Sequence, residues 1–94
     1  MVSKDEIITT MTRLTDLLNE TNPSSEFTNF LADSLATIKS SNGVAFTGQL
    51  KYFFIRAPVV KFSDNITFTP EEEKLYHKLL SLNELGNNLW GASL

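Results

Sequence analysis

The chain has no cysteine, a single histidine and few residues that interrupt regular structure, with four glycines and three prolines among 94 residues. Without cysteine, neither a disulfide nor a thiolate metal site can form, and one histidine is too few for a metal site built from imidazoles. No run approaches the roughly 18 apolar residues that a membrane-spanning helix needs. The first residues include acidic side chains and no long apolar segment, so we expect no signal peptide. These absences favour one small soluble domain in the cytoplasm, without cofactor or metal.

Positive charge is scarce and scattered along the chain. The chain contains eight Lys and Arg residues and eleven Asp and Glu residues, which gives a net charge of −3. Residues 1–43 carry three cations and six carboxylates, whereas residues 44–94 carry five of each. Nucleic-acid-binding domains need a clustered basic face, so this distribution argues against nucleic acid as a partner.

No arrangement of catalytic residues is recognisable in the sequence. The three consecutive glutamates that begin at Glu71 are explained by the start of a helix, where carboxylates meet the positive end of the helix dipole. The Ser and Thr residues have no His or Lys base at a familiar spacing, and neither Gly43 nor Gly48 begins a phosphate-binding loop. His77 falls between apolar positions of its helix and should point to solvent. We therefore expect no enzyme, no catalytic residue and no metal ligand.

The clearest structural signal is a helix from Pro70 to Leu85. Thr69 and Glu72 have the spacing of a capping box, in which each side chain bonds to the backbone N–H of the other residue. Pro70 suits the first helical position, and Gly86 is predicted to end the helix because glycine readily takes a positive φ. An apolar stripe follows the cap: Leu75, Tyr76, Leu79, Leu80 and Leu82.

The first helix is predicted over about residues 4–19. Ser3 and Glu6 have the spacing of a second capping box, and Val2 is placed to pack on Ile7 as a hydrophobic staple. Four residues recur along one face of this helix: Ile7, Met11, Leu14 and Leu18.

The second helix is predicted over about residues 23–41. Asn22 is the expected N-cap with Pro23 at the first helical position, and Asn42 with Gly43 marks the turn that ends it. The apolar stripe of this helix consists of Phe27, Phe30, Leu31, Leu35 and Ile38. Ala32 and Ala36 lie beside the stripe and, being small, would allow close contact with another helix.

The third helix, predicted over about residues 45–57, is the least regular. Residues 52–55, Tyr-Phe-Phe-Ile, are apolar on nearly every side and could also form a buried strand. Helix is favoured because the chain has no second run of this kind to pair with it. Pro58 disfavours helical geometry at the residue before it, so the helix should stop or kink there. Residues 59–62 could then form an extended link or one extra turn, before a turn at residues 63–65.

These segments predict an all-α fold, an antiparallel four-helix bundle with a C-terminal tail packed on it. In the tail, Leu89 and Trp90 would either fold back over the bundle or leave Trp90 as an anchor for a partner. The core is predicted to contain Ile7, Met11, Leu14, Leu18, Phe27, Leu31, Leu35, Leu50, Phe53, Phe54, Leu75, Leu79 and Leu82.

The second half of the chain resembles a known family. The pattern consists of Tyr52-Phe53-Phe54, a short link, Ile66-Thr67-Phe68-Thr69 and a leucine-rich helix with an acidic start. It is similar to the pattern in the pediocin-like (class IIa) bacteriocin immunity proteins, especially the enterocin A immunity type. The resemblance implies a cytoplasmic antiparallel four-helix bundle that protects the producer cell from its own pore-forming peptide. It implies action at the inner side of the membrane, on the bacteriocin-occupied permease of the mannose phosphotransferase system. This chain departs from many relatives in being acidic.

In that family the C-terminal half, here roughly Lys51 to Leu94, decides which bacteriocin is resisted. Within it, the candidate partner-binding residues are Lys61 and Phe62 in a predicted loop, Asn65 at a turn, and Trp90, because packing alone does not require them. Packing on the bundle is the alternative for Phe62 and Trp90. We expect a monomer that is at most peripheral to the membrane.

Two other functions stay open. One is a small acidic inhibitor that binds a toxin of the nuclease type directly, which the acidity of residues 1–43 would suit. The other is a structural or adaptor bundle without any link to a toxin.

Overall fold

Residues 4–92 form four α-helices joined by short connections. The computed structural model describes the backbone of residues 4–92 and the side chains of residues 4–82. The helices are α1 (Lys4–Thr21), α2 (Glu26–Ser40), α3 (Gly43–Asp64) and α4 (Pro70–Ala92), and residues 4–92 contain no strand. Helix α2 packs on both α1 and α3, and α4 packs on α1. The predicted all-α four-helix fold is confirmed.

A single apolar core runs through the bundle, and every residue that the sequence predicted for it is buried. Between α2 and α3, the ring of Phe30 stacks on that of Phe53 with centroids 5.7 Å apart. The expectation that Ala32 and Ala36 would allow close helix contact is wrong, because both are exposed. At about 100° per residue they lie a quarter turn or more from the centre of the buried stripe.

The start of α4 has the predicted capping box. The Thr69 backbone N–H donates to Glu72 Oε1 at 2.8 Å, and the Glu72 backbone N–H donates to Thr69 Oγ1 at 3.2 Å. Glu72 is fully buried, and its second oxygen, Oε2, accepts from Thr21 Oγ1 at 2.6 Å. The capping carboxylate therefore also ties the start of α4 to the end of α1.

Helix α1 begins at Lys4, as predicted, and ends at Thr21, beyond the predicted end. The predicted capping box from Ser3 and staple from Val2 involve residues outside the described range. The Lys4 ammonium donates to the backbone carbonyl of Ser41 just after α2. A cation is thereby placed at the negative end of the α2 dipole, where it stabilises the helix.

Helix α2 does not begin directly after Asn22, as the sequence predicted. Its N-cap is Ser25, whose Oγ accepts from the Thr28 backbone N–H at 3.1 Å. The next free N–H, that of Phe27, donates to Asp64 Oδ2 at 3.1 Å. Asn22 and Ser25 are both good capping residues. Asp64, which is distant in sequence, accepts a hydrogen bond from the Phe27 backbone N–H, and this N–H is free only when α2 begins after Ser25.

Helix α3 does not stop at Ala57, as the sequence predicted, but continues past Pro58 to Asp64. Proline removes one backbone hydrogen bond from a helix interior. Here Ala57 and Val60 are both buried in the core, so the turn that contains Pro58 is stabilised by packing. The helix ends at Asn65, which has left-handed backbone angles of φ 56° and ψ 35°.

Helix α4 also extends beyond its predicted end. The expected stop at Leu85, with Gly86 after it, is wrong, because the helix continues to Ala92 and leaves no separate tail of residues 87–92. An interior glycine costs only about 1 kcal/mol relative to alanine, and Leu89 continues the apolar spacing of Leu85. The side chain of Trp90 lies outside the described residues.

Replacing Leu79 by Ala should lower the free energy of unfolding by about 2 to 5 kcal/mol, because its side chain is fully buried in the core. Urea titration measures the change. The half-buried neighbour Leu80 is the control, and Leu80→Ala should cost clearly less. Equal losses for the two variants would contradict the observed orientation of α4.

Replacing Glu72 by Gln should lower the free energy of unfolding by about 1 to 3 kcal/mol, because the amide nitrogen cannot accept a hydrogen bond from Thr69 or Thr21. Glu71→Gln is the matched control, since it removes the same charge from the same helical turn at an exposed position. If both variants unfold at the same urea concentration, the buried hydrogen bonds of Glu72 do not stabilise the fold.

Candidate functional site

The described side chains contain no evident site for chemistry. Among residues 4–82, no three Asp, Glu or His side chains lie close enough together to hold a metal ion. Every buried side-chain nitrogen or oxygen in this range has a hydrogen-bond partner. His77 is exposed and its Nε2 lies 3.0 Å from Oε1 of Glu73, one helical turn away.

Three of the four candidate partner-binding residues come together at the C-terminal end of α3. Lys61 and Phe62 lie in the last turn of the helix and not in a loop, as the sequence predicted, and Asn65 is the C-cap. The Asn65 backbone N–H donates to the carbonyl oxygens of Lys61 at 3.2 Å and Phe62 at 3.3 Å. Trp90, the fourth candidate, has its side chain outside the described residues.

The Lys61 side chain is used inside the molecule. Its ammonium lies 4.9 Å from the ring centroid of Phe68 and 5.6 Å from that of Tyr76. These two rings meet edge to face, with centroids 5.4 Å apart, and Phe27 packs 5.5 Å from Phe68. Burial of its ring, and secondly the carboxylate of Glu73, raise the pKa of Tyr76, so the phenol stays neutral. Lys61 therefore links the end of α3 to Tyr76 of α4 and to Phe68 in the connection between these helices.

Phe62 points the other way and is 89% exposed. It belongs to a row of exposed apolar side chains on the outer face of α3. The row follows helical spacings of three, four and three residues and consists of Tyr52, Ile55, Val59 and Phe62. Val44, at the start of the same helix and on the same face, is 90% exposed. We call the four residues the apolar row.

Of the apolar row, sequence reasoning identified only Phe62 as a candidate. The signal for the others was present, since residues 52–55 are apolar on nearly every side. One side of α3 packs into the core through residues such as Leu50, Phe53 and Val60. The opposite side faces solvent and is apolar as well, with Ile55 68% exposed. A helix that is apolar all round is normally buried all round, so this exposure is unusual among the described side chains.

The charges of α3 set it apart from the other helices. From Gly43 to Ser63 the sequence contains three cations and no carboxylate, whereas α1, α2 and α4 each carry more acidic than basic residues. Lys51 and Arg56 are exposed, and at about 100° per residue they fall on opposite sides of the apolar row. The outer face of α3 is thus apolar along its centre and positively charged at its flanks.

An open groove of about 750 Å³ lies between α1 and α4. It is lined by Arg13, Pro70, Glu71, Lys74, Leu75 and Lys78. This groove gathers three cations but exposes no apolar row, so it provides a natural comparison for the face of α3.

Comparison with protein-family models, with curated proteins and with solved structures found no match for this chain. Within the described residues, no helix has the length and apolar content needed to cross a membrane. The outer face of α3 is the surface of the described residues that internal packing explains least.

Replacing Lys61 by Gln should lower the free energy of unfolding by about 0.5 to 2 kcal/mol, because the ammonium is lost from the faces of Phe68 and Tyr76. Lys51→Gln is the matched control, since it removes one exposed cation from the same helix. Urea titration of both variants measures the difference. A Lys61 variant as stable as the Lys51 variant would show that the cation–π contacts do not hold the end of α3.

Proposed function

We propose that this chain is an immunity protein of the pediocin-like (class IIa) bacteriocin type. In this proposal it protects a producer bacterium by binding at the cytoplasmic side of the membrane, where the peptide occupies the mannose phosphotransferase permease. The observation that carries the proposal is the exposed apolar row of α3. It lies on an otherwise well-satisfied helical bundle and within the half of the chain to which the resemblance assigns specificity.

The apolar row has the character of a binding surface. Aromatic residues contribute most to the free energy of many interfaces, and the row contains Tyr52 and Phe62. A continuous row of exposed apolar side chains promotes association in water, so it points to a contact made during function.

The C-terminal end of α3, which carries Phe62, is held by contacts with the rest of the bundle. Next to Phe62, Lys61 is held over two aromatic rings. Two residues further on, Asp64 accepts a hydrogen bond from the backbone of Phe27 in α2. Because the end of α3 is fixed from two directions, Phe62 can be presented without a loss of backbone entropy on binding.

Direct inhibition of a basic nuclease is supported less well by this surface. Such a partner would be attracted by carboxylates, and the flanks of the apolar row carry Lys51 and Arg56 instead. The segment from Gly43 to Ser63, which carries the apolar row, contains no carboxylate.

The test is expression in a bacterium that is sensitive to class IIa bacteriocins, followed by challenge with a panel of these peptides. We expect the unchanged chain to protect against at least one of them. Phe62→Ser should reduce that protection without lowering the melting temperature, because Phe62 makes little contact with the bundle.

Ala36→Ser is the control, since it changes an exposed residue of α2 on another face. It should protect as well as the unchanged chain. Failure of the unchanged chain to protect against any peptide of the panel would reject the proposal. Protection against a nuclease toxin in its place would favour the direct inhibitor.

A further inference from the structure

We propose that the outer face of α3 binds an anionic lipid surface directly, with the apolar row entering the headgroup region and Lys51 and Arg56 contacting lipid phosphates. This deepens the proposed function by naming what the apolar row touches. The contact itself requires neither permease nor bacteriocin, so it can be tested in their absence.

The shape and size of the face favour a membrane over a protein partner. The apolar row lies along the convex side of one helix and, with Val44 included, spans about 27 Å at 1.5 Å per residue. This makes it a narrow strip on a convex surface, whereas a protein interface needs a partner whose surface is complementary in shape. A helix lying in a membrane interface needs only one such apolar face.

The charge of the face favours an anionic surface. The segment from Gly43 to Ser63 has no carboxylate, and its exposed cations Lys51 and Arg56 lie on the two flanks of the apolar row. Basic residues at the flanks of an apolar helix face are attracted to anionic lipids, and their long stems allow the charges to reach the headgroups. A second copy of the chain that packed through the same face would instead bring cations against cations, because the segment from Gly43 to Ser63 has no acid to pair with them.

The rest of the molecule orients this face toward the lipid. Helices α1, α2 and α4 are each net acidic by sequence, so an anionic surface repels them and attracts α3. The groove between α1 and α4 holds Arg13, Lys74 and Lys78, but Glu71 lies among them and no exposed apolar row accompanies them. Only the face of α3 combines both kinds of attraction within the described side chains.

The test is flotation of the purified full chain with vesicles of phosphatidylglycerol and phosphatidylcholine, compared with vesicles of phosphatidylcholine alone. We expect binding to the anionic vesicles, little binding to the neutral ones, and loss of binding at high salt. The double variant Ile55→Ser with Phe62→Ser should lower the partition coefficient roughly tenfold or more, since two exposed apolar groups are removed. Its circular dichroism melting curve should match that of the unchanged chain.

A second pair of variants tests the charges. Lys51→Gln with Arg56→Gln should lower binding to anionic vesicles roughly tenfold at low salt. Lys74→Gln with Lys78→Gln removes the same charge from the groove of α4 and should change binding by less than about threefold, through net charge alone. If the double variant of Lys74 and Lys78 loses binding and that of Lys51 and Arg56 keeps it, the lipid contact lies at the groove between α1 and α4, and the inference is overturned.

Three other outcomes would also overturn it. These are no binding to anionic vesicles, equal binding to neutral and anionic vesicles, and a dimer in sedimentation velocity that the Ile55 and Phe62 serine variant abolishes. The last outcome would assign the apolar row to a second copy of the chain. Vesicle binding by a chain that protects against no bacteriocin would reject only the proposed function, whereas protection without vesicle binding would reject only the lipid contact.

Discussion

Burial of Ala57 and Val60 on both sides of Pro58 is the constraint on which the surface of this protein depends. It keeps α3 continuous through a residue that normally interrupts a helix. Without that continuity, Val59 and Phe62 would not share a face with Tyr52 and Ile55. The inner side of the helix therefore determines, through packing, what its outer side presents to solvent.

The parts of the fold that were predictable from sequence are those decided within a few residues. The capping box of Thr69 and Glu72 needs only the two side chains and the helix start between them, and it is present as predicted. The core was also predictable, because a helix with one apolar and one polar face packs through its apolar face. Element type was accordingly correct for all four helices, and every residue predicted for the core is buried, although the core also includes Val60, which was not predicted.

The parts that were not predictable depend on residues distant in sequence. Asn22 and Ser25 are equivalent as caps until Asp64 of α3 comes near the backbone of Phe27. The length of α3 depends on whether Val60 reaches the core, which no local pattern reveals. The exposure of the apolar row could not be predicted for the same reason. The sequence shows that residues 52–55 are apolar on nearly every side of the helix, but only the packing of the helices decides which side of α3 is covered.

The hydrogen bond from Thr21 to Glu72 joins the last residue of α1 to the first turn of α4, and it has a consequence for how the molecule opens. Fraying at the end of α1 exposes the buried Glu72 carboxylate, which caps α4, and removes one of its hydrogen bonds. Fraying at the start of α4 removes the carboxylate from Thr21, so that loosening of either helix end weakens the contacts of the other. Amide hydrogens near residues 18–21 and 72–76 should accordingly exchange with solvent as one cooperative unit, although more than fifty positions separate them along the chain.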